Sequence, residues 1–210
     1  MMFGDGALTF REFVMHERLP LATIHDAVLD FLRGRDDTAL YGAQAVNAYV
    51  DEARMTQDVD ILSPRAAEVA EEIRAHLNSL FQIAVRVRKV RDGIGYRVDQ
   101  VRKPTNRHLV DVRAVEQLPP TQRVEEVLVL TPVELIAAKV LSAASRIQTA
   151  KGLIDAADLR RLLLVFPELK TSQGTVADCL SRANAPGAAL AMWNNIVAQE
   201  ILPEDEDAGY

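Results

Sequence analysis

Apolar positions change their spacing along this chain, and each change marks an element. At Leu21, Ile24, Val28, Leu29 and Leu32 they recur at helical intervals, which predicts an amphipathic helix over residues 21–33 closed by Gly34. Before it, Thr9 and Glu12 have capping-box spacing, so a short helix is expected that ends at Pro20. Residues 38–42 read as a brief strand running into a glycine, followed by two helical turns over 43–50 and a strand over 55–62. Ser63 with Pro64 is a helix start, since proline has no amide to waste at the first helical position, and this helix reaches about Leu80. Ile83, Val85 and Val87, then Ile94, Tyr96 and Val98, alternate with polar residues on either side of Asp92-Gly93, the pattern of a hairpin. A further strand is expected over residues 108–115.

After Pro119-Pro120 the period becomes helical, with helices expected over residues 132–146, 151–166, 175–182 and 186–201. Thr131-Pro132-Val133-Glu134 combines a capping box with a proline at the first helical position. The expected organisation is therefore an α/β core over residues 1–118, a helical subdomain over 119–202 and an acidic tail over 203–210.

Composition agrees with a folded domain: 210 residues with 49% hydrophobic and 26% charged side chains. The longest apolar run, residues 188–193, is far too short to span a bilayer. The N-terminus does not read as a secretory signal, and Cys179, the single cysteine, leaves no partner for an internal disulfide, so a reducing cytoplasm is the expected setting. Net charge is -6, but residues 86–113 carry nine basic side chains (Arg86, Arg88, Lys89, Arg91, Arg97, Arg102, Lys103, Arg107, Arg113) against three acidic ones. That segment is either a pair of strands with solvated arginine faces or a basic surface for phosphates.

The stretch that carries chemistry is Arg54-Met-Thr-Gln-Asp-Val-Asp-Ile-Leu62. On a strand, Asp58 and Asp60 would share one face while Val59 and Ile61 take the other. Two neighbouring carboxylates repel, and a divalent cation lets both stay ionised; Mg2+ prefers oxygen ligands and bridges carboxylates to phosphates, with Mn2+ as the alternative ion. Leu109-Val-Asp-Val-Arg113 repeats the alternation, so Asp111 can join the pair, or else remain an exposed strand residue paired with Arg97 or Arg113. Three such aspartates could hold two metal ions around a triphosphate. Gly42, at a strand-to-helix turn, is either an ordinary turn glycine or a place where backbone amides approach phosphate oxygens. His16, His25, His76 and His108 show no second ligand at metal spacing and read as ordinary histidines. Cys179 is expected to be buried and inert, and Met192 and Trp193 to lie in an apolar core.

In the order glycine turn, Asp-x-Asp strand, later aspartate, the chain resembles the nucleotidyltransferases of the DNA polymerase beta type. More closely, Gly42-Ala43-Gln44-Ala45-Val46, then Arg54-Met-Thr56-Gln-Asp58-Val-Asp60, then Glu134-Leu-Ile-Ala-Ala-Lys139 ahead of Arg146, and Asp155-Ala-Ala-Asp158-Leu resemble the AbiEii/AbiGii toxin family. The resemblance spans about residues 40–164. It implies a small mixed sheet flanked by helices, with a helical C-terminal subdomain. It also implies transfer of a nucleoside monophosphate from a nucleoside triphosphate to an acceptor hydroxyl, on the 3′ end of tRNA or on a protein, and a cognate antitoxin as partner. Asp58 and Asp60 would hold Mg2+, and Asp111 would complete the metal site or accept the proton of the attacking hydroxyl. Gly42, Ala43, Gln44, Arg54, Thr56 and Lys139 would bind the nucleotide, supported by Arg146, Asp155 and Asp158. Ala43 and Gln44 depart from the family loop, where a small Gly or Ser and a hydroxyl residue are usual. Two other functions stay open: an inactive nucleotide- or partner-binding module of the same fold, and a transferase acting on a small molecule such as an aminoglycoside.

Overall fold

The computed structural model describes residues 19–90 and 94–203. The helix expected at Thr9, the Asp92-Gly93 turn and residues 204–210 of the acidic tail lie outside them. The chain divides into two compact units, Met1–Leu130 and Thr131–Tyr210.

The first unit is built on a seven-stranded mixed sheet, in the order β3-β4-β5-β2-β1-β7-β6. The strands are β1 (Ala39–Tyr41), β2 (Val59–Ser63), β3 (Val85–Val90), β4 (Gly95–Gln100), β5 (Arg107–Ala114), β6 (Thr121–Val124) and β7 (Val127–Leu130). The helices are α1 (Leu21–Leu32), α2 (Gly42–Asn47) and α3 (Ala66–Phe81). Ile24, Val28, Leu29 and Leu32 of α1 are buried, with Val69, Ile73 and Leu77 of α3, so both amphipathic faces serve one core. Val59 and Ile61 of β2 and Val110 and Val112 of β5 are also buried.

Three expectations are corrected. Residues 121–130 are not the start of a helical half: they form the β6–β7 hairpin, whose β7 pairs with β1, so the helical unit begins at Thr131. The strand predicted over 55–62 begins only at Val59, leaving Asp58 in the bend ahead of it. Ser63 does not open the following helix; it ends β2, and its hydroxyl accepts a hydrogen bond from the Arg65 amide at 3.0 Å.

The second unit holds α4 (Pro132–Ser145), α5 (Ala150–Val165), a 3-10 turn (Pro167–Leu169), α6 (Thr175–Arg182) and α7 (Gly187–Ala198). Trp193 is buried as expected, whereas Met192 is half-buried. Pro132 stands at the first helical turn of α4, but Thr131 makes no side-chain cap. Nor does Glu134 supply the reciprocal bond of a capping box: its carboxylate accepts from Cys179 Sγ at 3.2 Å and from Arg182 Nη2 at 3.3 Å. Cys179 is buried as expected, and burial with the neighbouring Glu134 pushes its thiol up to about 11.

Candidate active site

The centre of the sheet brings the acidic residues together through register. β2 runs parallel to β5 with Asp60 opposite Asp111 and Val59 opposite Val110, while β1 runs antiparallel to β2 with Tyr41 opposite Asp60. Side chains at paired positions share a face, so Asp60 lies between Asp111 on one side and the β1–α2 turn on the other. At that turn Gly42 has φ +71°, and a Cβ there would lie 2.0 Å from Asp60 Oδ2 and 2.9 Å from Asp60 Cβ. The absence of a side chain at Gly42 is thus what lets the Asp60 carboxylate sit against the turn.

His108 also faces this site, which its position three residues from Asp111 would forbid in a regular strand. β5 carries a bulge: Val98 pairs with Val110 and Asp99 with His108, so one step on β4 spans two on β5 and Leu109 is the extra residue. The bulge turns His108 onto the face of Asp111, and both Leu109 and Val110 are buried behind it. His108 Nε2 lies 3.1 Å from Asp58 Oδ2 and 3.3 Å from Asp111 Oδ2, in line with neither for a hydrogen bond. His108 Nδ1 lies 3.4 Å from Asp99 Oδ1. Ligand atoms of Asp58, His108 and Asp111 all fall within 4.8 Å of one another, the grouping a cation would need.

Arginines hold the outer carboxylates. Arg97 donates from Nε to Asp111 Oδ1 at 3.0 Å and from Nη2 to Oδ2 at 3.2 Å; Arg88 Nε donates to the buried Asp99 at 2.7 Å, and Arg86 Nε stands 3.6 Å from it. Burial disfavours charge on His108, but Asp111 and Asp58 outweigh it and raise the ring to about 9. For Asp111 burial again opposes charge, and His108 with Arg97 outweigh it, bringing the carboxyl down to about 2.

The structure thus brings together some of the expected residues and adds one. The close cluster is Asp58, His108 and Asp111, with Asp60 beside it toward Gly42, and the reading of His108 as an ordinary histidine is corrected. Sequence periodicity hides His108 because the bulge resets the alternation. Arg97 takes the pairing with Asp111 that the sequence offered it, whereas Asp99 was visible only as a member of a charged strand.

The residues preceding Asp58 act as a brace. Asn47 Nδ2 donates to the Arg54 carbonyl at 2.8 Å, and the Arg54 amide donates to Asn47 Oδ1 at 3.1 Å. Thr56 Oγ1 donates to the Asp58 carbonyl at 3.1 Å. Gln44, expected at the nucleotide, has its side chain buried and accepts from Asn47 Nδ2 at 3.2 Å, because α2 turns that face into the core. In the basic segment, Arg86 and Arg88 stay exposed while meeting Asp99 and Arg97 is half-buried on Asp111, whereas Arg107 is buried and donates from Nη1 to the Leu19 carbonyl at 2.9 Å.

In the helical unit, Lys139, Arg146, Asp155 and Asp158 form a cluster of their own. Lys139 Nζ lies 3.1 Å from Asp155 Oδ1 and 2.6 Å from Asp158 Oδ2, all three residues being buried. Ser142 Oγ donates to Asp155 Oδ2 at 3.0 Å, as does Arg146 Nε at 3.1 Å, and Arg146 Nη2 also meets the Ser142 hydroxyl. The two aspartates thus both engage the Lys139 ammonium group.

Comparison with known proteins bears on this geometry. The family model described as "Nucleotidyl transferase AbiEii toxin, Type IV TA system" matches residues 27–182. No curated protein sequence gives a significant match. Among solved structures, the polyadenylate synthase of Megavirus is similar with a TM-score of 0.55 at 12% identity, covering 76% of this chain and 36% of that one. The chain thus spans about a third of the length of that viral enzyme. JHP933 from Helicobacter pylori follows with a TM-score of 0.47 at 11% identity, over 91% of this chain and 94% of that one. An antigenic nucleotidyltransferase-like protein from Paracoccidioides brasiliensis has a TM-score of 0.45 at 16% identity, over 88% of this chain and 94% of that one. The match over most of its length, with the aspartates paired across β2 and β5, means that this chain belongs to the AbiEii nucleotidyltransferase toxin family of type IV toxin–antitoxin systems.

Proposed function

We propose that this protein transfers a nucleoside monophosphate from a nucleoside triphosphate to an acceptor hydroxyl, on the 3′ end of tRNA or on a protein, in the cytoplasm and under restraint by a cognate antitoxin. The acceptor hydroxyl gives up its proton to solvent, its oxygen forms a bond to the α-phosphorus, the bond from that phosphorus to the bridging oxygen breaks, and pyrophosphate departs. The observation that carries this reading is Asp60 and Asp111 side by side in register, with Asp58 at hand and Gly42 against Asp60. Asp58, Asp60 and Asp111 are assigned to a divalent cation, Mg2+ or Mn2+. When bound, that cation would neutralise charge on the phosphates and activate the attacking hydroxyl.

Between the two roles open to Asp111, its low pKa favours the metal. A carboxylate held at about 2 by His108 and Arg97 is a weak base and a stable anion. Arg54 and Thr56 then act through the loop that delivers Asp58, and Gly42 and Ala43 through the backbone of the turn. Lys139 enters as a cation positioned by Asp155 and Asp158, with Arg146 on Asp155; these carboxylates take two of its three N–H groups.

Incubation with radiolabelled triphosphates, Mg2+ or Mn2+, and total tRNA or cell lysate is expected to label an acceptor, and Asp60→Asn to abolish the labelling. No labelling, or equal labelling by the variant, refutes transfer. A second reading is favoured by the inward-turned Gln44 and by Ala43, which leave the turn without a hydroxyl for a terminal phosphate. On that reading the protein binds nucleotide without turnover, and calorimetry with each triphosphate separates the two.

A further inference from the structure

The geometry points to His108 as a direct metal ligand through Nε2, completing with Asp58 and Asp111 a mixed nitrogen–oxygen site that takes a first-row transition ion such as Mn2+ in preference to Mg2+. This inference rests on the metal-dependent reading above and deepens it by naming the ligand set and the ion.

Three observations carry it. First, ligands about 2.1 Å from a shared ion stand about 3.0 Å apart at right angles and about 3.4 Å apart at the tetrahedral angle. The separations of Nε2 from Asp58 Oδ2 and Asp111 Oδ2, 3.1 and 3.3 Å, lie within that range. Second, Nε2 is buried and aligned with neither carboxylate, so its direction is poorly explained by hydrogen bonding to them. An ion seated among the three groups would use that direction. Third, the far sides of the ligands are held as metal ligands usually are. Asp99 Oδ1, 3.4 Å from His108 Nδ1, holds a proton on Nδ1, so a cation entering the site displaces the proton of Nε2 to solvent and takes its lone pair. Arg97 fixes Asp111 through both oxygens, and Arg88 fixes Asp99.

Ion preference follows from the donor set. Mg2+ is a hard ion that selects oxygen and retains water, whereas an imidazole nitrogen raises the relative affinity of transition ions. Two carboxylates and a neutral imidazole also balance the charge of a dication.

The test uses the full-length protein stripped of metal and titrated with Mn2+, read by electron spin echo envelope modulation for a directly bound histidine nitrogen. Wild-type protein with natural and with 15N-labelled histidine is expected to show a 14N coupling that changes to the 15N pattern. The coupling should vanish in His108→Gln, with Mn2+ affinity reduced about tenfold or more and the Mn2+-over-Mg2+ preference lost. Because the isotope comparison uses wild-type protein, it decides the question even if His108→Gln fails to fold. Mn2+ bound without a histidine nitrogen signal overturns the inference, as does an unchanged preference in a folded His108→Gln protein. If labelling of an acceptor persists in either case, the ligand assignment alone has failed. Absence of both metal binding and labelling overturns the transferase reading as well.

Discussion

Gly42→Ala offers a quantitative check on the position of Asp60, because the fold supplies its own control at Gly34. Both glycines have left-handed backbones, φ +71° at Gly42 and φ +72° at Gly34, so alanine meets the same dihedral penalty at each, about 1–2 kcal/mol. Both substitutions also stiffen the unfolded chain alike, which returns about 0.4–1 kcal/mol. They differ in what the new methyl meets. At Gly34 nothing lies within 4 Å, whereas at Gly42 it would stand 2.0 Å from Asp60 Oδ2, 2.7 Å from Cγ and 2.9 Å from Cβ. Rotating the carboxylate relieves the first two contacts. The third involves an atom fixed to the β2 backbone, so the strand or the turn must move, an overpacking cost of about 1–3 kcal/mol. Urea unfolding followed by circular dichroism, in EDTA so that metal binding does not intervene, should show Gly42→Ala less stable than Gly34→Ala by that amount. Adding Asp60→Gly, which removes Cβ together with the carboxylate, should recover part of the difference. If the two alanine variants lie within about 0.5 kcal/mol of each other, Asp60 Cβ does not lie against the turn as this account puts it.

Metal-free stability should depend on pH through His108. Its folded value of about 9 exceeds its ordinary value of 6.5, so the stabilisation is fully present below pH 6.5 and is lost as pH rises through 9. The shift alone corresponds to at most about 3 kcal/mol, and solvent at the partly exposed ring reduces it to about 1–2 kcal/mol. His108→Gln should flatten that window in unfolding curves, and an unchanged slope would refute the ion-pair account. Lys139→Met withdraws the cation from the buried Asp155 and Asp158 and should destabilise the helical unit by about 3–5 kcal/mol, measured as a lower urea midpoint; a loss below about 1 kcal/mol would show the cluster to be slack. Gly152→Ala should also destabilise, although alanine is the better helix former by about 1 kcal/mol, because its Cβ would lie 2.0 Å from the Arg146 carbonyl oxygen. A raised melting temperature for that variant would contradict the close α4–α5 turn.

What was legible in the sequence follows from local chemistry. Period alone located α1, the β3–β4 hairpin and the helices after Thr131, because each apolar face repeats within a few residues. It also marked Asp60 and Asp111 as polar positions alternating with buried valines and isoleucine, and so as neighbours if their strands paired. The β6–β7 hairpin escaped because its short strands become meaningful only when β7 lies beside β1. Glu134 had the spacing of a cap, but Cys179 and Arg182 reach it from more than forty positions away and claim the carboxylate.

His108 marks the division most sharply. The sequence by itself determined which residue types were available and which strands would carry the aspartates, since alternation and turn chemistry are properties of adjacent residues. Only the tertiary structure decided that the histidine joins them. That required the register between β4 and β5, with the extra residue at Leu109 that the pairing imposes. A bulge is a mismatch between two strands, so neither strand encodes it alone; it exists only once they are aligned.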